Sequence, residues 1–411
     1  MSFPGINIEF INGQLGQTVA TPDGICLFAV SAVATEKFEL NKAYEIRSMI
    51  DVAQLGILPD VDNYRLYKTL REFYNQAGEG VKCWIMGFDK STKVSDWFTA
   101  DVLTGIIPIQ SALDTAKGEI SLIGCALSPD AEYVPVITKA IDSDIVLAMQ
   151  KAETFLNTYT KVKYAPASVV FEGYAFTGNK TELDDLGTMN FERCSVMLGD
   201  TEPRTGSPAS NGACIGTYLG RLSVSDVQVN PGRVRDGALK ISKAFIGDVP
   251  VEQYDTEALH DKGYVTLRTH TGKSGYFFAD CPTASSATSD YHYLTHRRVI
   301  DKAYRLAYQG SLDFLLDDNE VMPNGAINPI YAKAFENAIE SLIFQEMTAN
   351  GELSQDTSNP KDRGVICRVD LQHNVVSTGE LKIAKLQVRA KGYNRYIDIP
   401  LGFVPVTINN E

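Results

Sequence analysis

Both ends of this chain are written as β-strands without a local partner. Gly5-Ile6-Asn7-Ile8-Glu9-Phe10 alternates apolar and polar residues, placing Ile6, Ile8 and Phe10 on one face. It runs into Asn12-Gly13-Gln14-Leu15-Gly16-Gln17, which is too polar and glycine-rich to anchor it nearby. The last segment, Tyr396 to Ile408, repeats the grammar with Ile397, Ile399, Leu401 and Phe403 on one face. Pro400 and Pro405 within it suit an edge strand better than a sheet centre. A free sheet edge is usually blunted unless another chain uses it. The pattern therefore suggests a subunit that trades strands with its neighbours. An ordinary sheet pairing the two termini within one molecule satisfies it equally.

Bulk properties bound the class. The chain has 411 residues, enough for two or three domains with real cores, and 44% hydrophobic with 22% charged residues is ordinary for a soluble globular protein. A net charge of −13 argues against a nucleic-acid-binding surface. The N-terminus carries no basic, apolar leader, and no apolar run reaches membrane-spanning length, so neither secretion nor membrane insertion is expected. Seven cysteines, none in a C-x-x-C pair, mostly sit in apolar runs and read as reduced core residues of a cytoplasmic product.

Periodicity organises the interior. Ile25 to Val33 is a nearly continuous apolar run, the mark of a strand covered on both faces. Asp62 to Gln76 reads as a helix, Val81 to Met86 as a strand, Glu119 to Leu127 as a strand, Ile137 to Thr158 as a long helix and Ala167 to Phe176 as a strand. This alternation means an α/β sheet with crossover helices. Ala213 to Leu222 reads as a small-residue helix packed tightly on a sheet. Gly263 to Ala279 reads as a hairpin, and His296 to Leu316 as a helix whose Arg298, Lys302 and Arg305 form a basic stripe suited to an acidic partner. Asn328 caps a helix with Pro329 at its first position and a stripe of Ile330, Tyr331, Ala334, Phe335, Ala338, Ile339, Leu342 and Ile343. Val365 to Leu371, Glu380 to Val388 and Tyr396 to Phe403 read as three strands.

Catalytic chemistry finds little support. His292 and His296, with Asp280 and Cys281 upstream, would suit a zinc ion by composition, but their spacing fits no recognised frame. No nucleophile elbow, phosphate loop or calcium loop is present in the sequence. The expectation is a protein without metal, cofactor or enzymatic activity, an α/β enzyme with a metal at the two histidines being the alternative. Charge placement is more telling. Residues 1–36 contain no Lys or Arg, whereas 381–397 carry Lys382, Lys385, Arg389, Lys391 and Arg395 and no acid. This basic ribbon and the arm's Glu9 could pair across subunits, or the charges could lie on a solvated face.

In order of features the second half resembles the contractile tail sheath proteins of phages, pyocins and related injection systems. The resemblance rests on 259–283 (LHDKGYVTLRTHTGKSGYFFADCPT), on Tyr293-Leu294-Thr295-His296-Arg297-Arg298-Val299, on the helix at 329–349 with its Gly351-Glu352-Leu353 exit, and on the run from Val365 to Phe403. It extends to Pro4–Phe10 and loosely over 1–90. It implies an α/β sheath core with extended terminal arms and a family-specific outer domain. The boundaries expected are an N-terminal linking arm at 1–20, the front of the core at 21–90, the outer domain at 91–250, a C-terminal sheath domain at 251–378 and linking strands at 379–411. It further implies hexameric rings stacked helically around an inner tube protein, with baseplate and tail-terminator proteins as further partners, in a virion tail or contractile particle assembled in the bacterial cytoplasm. Another tail subunit, of baseplate or terminator, is the alternative. Lys333, Glu336 and Glu340, placed away from the apolar stripe of their helix, are the residues expected to face the tube.

Overall fold

A computed structural model describes residues 22–102, 104–206 and 211–403. The apolar run at 26–32 becomes β1 (Cys26–Ala32), the second of its sheet's inner strands and buried along its whole length. Around it stand β2 (Ala43–Ile46), β3 (Cys83–Asp89), β4 (Leu122–Ala126), β5 (Ser168–Glu172) and β6 (Cys194–Met197). Their order is β2-β3-β1-β4-β5-β6. All neighbours are parallel except β2, which runs antiparallel to β3 at one edge. The architecture is a mixed α/β sheet, as the alternating pattern predicts. Three of its six strands come from 91–250, so the sheet runs straight across the boundary placed at 90/91.

Helices cover both faces. Ile123, Val169 and Cys194 lie in register across β4, β5 and β6, and the Cys194 thiol meets the Met149 carbonyl of α2 (Ser143–Lys163). The alternate residue Gly124 faces Ile215 and Leu219 of α3 (Ile215–Ser223) on the opposite face. The close packing expected of the 213–222 helix is made mainly against another helix. A Cβ at Gly216 would stand 2.1 Å from the Thr69 carbonyl oxygen of α1 (Tyr64–Ala77), and one at Gly220 2.8 Å from that of Phe73. Two glycines one turn apart thus let the backbones of α1 and α3 touch.

At the carboxyl ends of the strands this contact closes over a buried ionic cluster. Lys68, fully buried, pairs with Asp200 and lies 2.9 Å from Glu72; Arg65 pairs with Glu172 and Asp200. Burial would raise the Asp200 carboxyl, yet Lys68 and Arg65 hold it below its usual range.

The apolar interior falls into two clusters. The larger extends from Ile25 to Leu294. The smaller joins Val299 and Ala303 of α4 (Leu294–Ser311), Phe335, Ile339 and Ile343 of α5 (Pro329–Ile343), and Val365, Cys367 and Val369 of β7 (Val365–Val369). β7 pairs antiparallel with β8 (Ile383–Val388) to form a two-stranded sheet. α4 therefore begins in one core and ends in the other.

Candidate assembly interface

The C-terminal hairpin has two edges of unlike character. The Arg389 N–H donates to the Gly364 carbonyl and the Asp370 N–H to that of Lys382, so the even-numbered residues of β7 face β8. The odd-numbered amides point to the outer edge. There the Cys367 N–H donates to Glu340 Oε1 and the Val369 N–H to Glu336 Oε1, each at 2.9 Å. Arg368 lies 2.6 Å from the Glu340 carboxylate and donates to the carbonyl of Cys367. Burial pushes the Glu336 carboxyl up, but the Val369 N–H and Lys333 together hold it below the ordinary range. The outer edge of β7 is therefore occupied by carboxylates. On β8 the outward residues are Leu386 and Val388, whose amides point away from β7; a register shift opposite Arg368 and Val369 breaks the alternation at Ala384.

This arrangement relocates the residues expected to face a tube. Glu336 and Glu340 are buried against β7, and only Lys333 is exposed, 3.0 Å from Glu336. The reason is a misjudged face. The buried stripe of α5 is Ala332, Phe335, Glu336, Ile339, Glu340 and Ile343, while Ile330 and Tyr331 point to solvent. Two acids count as polar in a helical pattern, but here they serve as hydrogen-bond acceptors for a strand.

Beyond β8 the chain is clamped and then released. The Tyr393 hydroxyl donates to the Gln228 carbonyl at 2.7 Å. Arg395 lies 2.7 Å from Asp280, with its guanidinium 3.3 Å from the Tyr293 ring centroid and His296 beside Tyr393. No residue from 396 to 403 makes a backbone hydrogen bond to another described residue. Ile397 and Ile399 are 74% and 73% exposed, and Leu401 and Phe403 almost wholly so. The third expected strand thus makes no ladder here. Its alternating apolar residues are all presented outward.

The other root lies on the same helix. Lys302 of α4 is 3.1 Å from Asp23 and 2.8 Å from Glu352, and Arg305 is 3.7 Å from Asp23. The buried Arg298 donates to the carbonyls of Leu222 and Ser225. The acidic partner of this basic stripe is the chain itself.

In the basic ribbon, Lys382 and Lys385 are exposed and Lys391 is half-buried. Arg389 pairs with Asp362, and Arg395 with Asp280, inside the chain. Ile6, Ile8, Glu9 and Phe10 lie outside the described residues. His292 Nδ1 is 2.7 Å from the Ser285 carbonyl oxygen, and His296 packs on Tyr293 and Tyr393. Among the described residues no cluster of His, Cys, Asp and Glu is arranged to hold a metal ion, and no helix is long and apolar enough to cross a membrane. Sequence reasoning missed the clamp. Its one signal was the Tyr393-x-Arg395 spacing, which sets an aromatic and a cation on one side of an extended segment.

Two family models divide the chain at the point where the structure changes core. Residues 3–282 match the DUF2586 N-terminal domain and 290–406 the DUF2586 C-terminal domain. The chain belongs to the DUF2586 family. No curated protein matches it. Among solved structures, the DUF2586 chain aligns with a chain of the 6-fold symmetrised cryo-EM structure of the anti-feeding prophage baseplate. That match is 14% identical, covers 98% of this chain and 99% of the other, and has a TM-score of 0.62. The anti-feeding prophage helical sheath in its contracted state is 16% identical over 100% of both chains, with a TM-score of 0.58. The contracted sheath complex PVC, of an extracellular contractile injection system, is 14% identical over 98% of both, with a TM-score of 0.61. The DUF2586 chain thus has, over nearly its whole length, the fold found in contractile sheath structures.

Proposed function

We propose that this chain is a structural subunit of a contractile tail sheath, polymerising as stacked hexameric rings around an inner tube and contracting to drive the tube into a target envelope. The observation that carries this reading is the tail from 396 to 403, clamped at Arg395 and then offering Ile397, Ile399, Leu401 and Phe403 to solvent. An isolated soluble protein gains nothing from such a segment. A polymer that must hold its neighbours while its bodies repack gains a flexible link, because backbone bonds between strands survive rotation of the bodies that carry them. The free edge of β8 offers a seat for such a strand from a second copy, each bond contributing about 1 kcal/mol. Ile6, Ile8 and Phe10 supply the corresponding N-terminal arm, and no catalytic role is proposed.

Negative-stain electron microscopy of the purified full chain tests this. Rods of stacked rings are expected, with or without tube protein. A chain that stays monomeric at high concentration and is not recruited to tubes would overturn the reading. The likeness to a baseplate chain favours one second reading, a subunit of a single ring. Discrete rings that never stack would select it.

A further inference from the structure

Resting on that strand-exchange reading, we propose that Glu336 and Glu340 are edge guards that make strand addition to the C-terminal hairpin one-sided. A two-stranded sheet has two edges, and an unprotected one accepts any strand, including the wrong one. On β7 the outward amides of Cys367 and Val369 are each engaged by a carboxylate at 2.9 Å. Such charge-assisted bonds are stronger than those a neutral strand would offer in exchange. Arg368 takes the carbonyl of Cys367 between them. The glutamates also act by exclusion, because a carboxylate offers no donor to the carbonyls of an incoming strand. Both come from α5, a helix fixed in the smaller core, so the guard is built into the fold.

β8 carries no such cover, and the tail is cut to fit it. In extended structure the amides of successive residues alternate in direction. Pro400 lacks an amide and shares a side with Asp398 and Gly402. Ile397, Ile399 and Leu401 must then turn their backbones to the partner. Laid antiparallel along Leu386 and Val388, they place their side chains on the face of those two residues, and Val388 packs against the smaller core. The added strand presents Pro400 on its new outer edge, where one donor is missing. Glutamates close the sheet on one side, and a proline blunts it on the other.

The test is peptide binding to the full-length chain, with a labelled peptide of the sequence 394–405 in excess over the chain's own tails. One peptide per chain is expected for the parent. Two per chain are expected for Glu336→Ala/Glu340→Ala. A count of one in both the parent and the alanine pair overturns the guard role. Amide hydrogen exchange on the parent gives the same answer if the alanine pair fails to fold. Bound peptide should slow exchange at Leu386 and Val388 and leave Cys367 and Val369 unchanged, and added protection at the latter two overturns the proposal. If the parent binds nothing but the alanine pair binds one, the guards stand and exchange at β8 fails. If neither binds, both readings fall.

Discussion

Arg395 and Asp280 form an ion pair of 2.7 Å at the exact point where the chain leaves the body, with the Tyr293 ring beneath the guanidinium. Asp280 is the better buried partner and also accepts from Asn230 and the Cys281 N–H. Arg395→Ala leaves that carboxylate short of a partner and is expected to cost about 1.5–3 kcal/mol in urea unfolding. The same pair sets a pH dependence. Burial raises the Asp280 carboxyl, but Arg395, together with Asn230 and the Cys281 N–H, holds it below its ordinary range. The stabilisation is complete above the ordinary aspartate range and is lost as pH falls through the folded value. Unfolding measured from pH 6 down to pH 3 should show a shallower acid slope in Arg395→Ala than in the parent.

The buried cluster at the strand ends should be far less forgiving. Lys68→Ala leaves Asp200 and Glu72 facing each other without their shared cation in a site closed to water. Breaking a buried pair from one side costs about 3–5 kcal/mol. We expect a matching fall in the urea midpoint, and a loss under 1 kcal/mol would show that water reaches the site.

Gly216 marks the contact between α1 and α3. An added methyl would meet the Thr69 carbonyl oxygen at 2.1 Å, a backbone atom that cannot swing aside. Gly216→Ala is expected to cost at least the 1–3 kcal/mol typical of overpacking, about that range by thermal melting, despite its better helix propensity.

The paired positions of the basic ribbon separate assembly from folding. Arg389 is engaged by Asp362, so reversing it disturbs the subunit itself, whereas Lys382 and Lys385 are exposed. Lys382→Glu/Lys385→Glu should melt within about 0.5 kcal/mol of the parent. It should assemble less well at ~0.01 M salt and recover near ~1 M, where the Debye length shrinks to about 3 Å. Assembly followed by sedimentation across a salt series checks this, and equal assembly at every salt removes any electrostatic role for the two lysines.

Ile399→Asp places a charge in the exposed tail, where no described residue contacts the backbone. The dispersed chain should melt unchanged while rods are lost in electron micrographs. Normal rods would remove the tail from assembly.

What was legible in the sequence followed burial on a single scale. β1 was readable because a strand covered on both faces leaves no polar position, and α1 because its apolar residues recur at helical spacing. α5 is legible as a helix from its Asn328 cap, which accepts from the Ile330 N–H, but its apolar pattern points to the wrong inward face. Glu336 and Glu340 look solvated in a pattern because their burial depends on two amides more than 25 residues away. The clamp was hidden for the same reason, since Arg395 and Asp280 are 115 residues apart. Domain limits were blurred because β4, β5 and β6 complete a sheet begun before residue 90.

Both roots of the chain's ends are mounted on one helix. Asp23 is held by Lys302 and Arg305, while Tyr393 and Arg395 rest on His296 and on Tyr293 just before α4 begins. From residue 296 to residue 302 the helix axis advances only about 9 Å. The two ends are therefore linked through side-chain contacts along less than two turns of helix, beside the covalent path that runs from Asp23 into β1. Mechanically, α4 is a tie rod. In the proposed polymer a pull between neighbours would be carried along α4, a helix seated in both cores, rather than across the strands of the sheet.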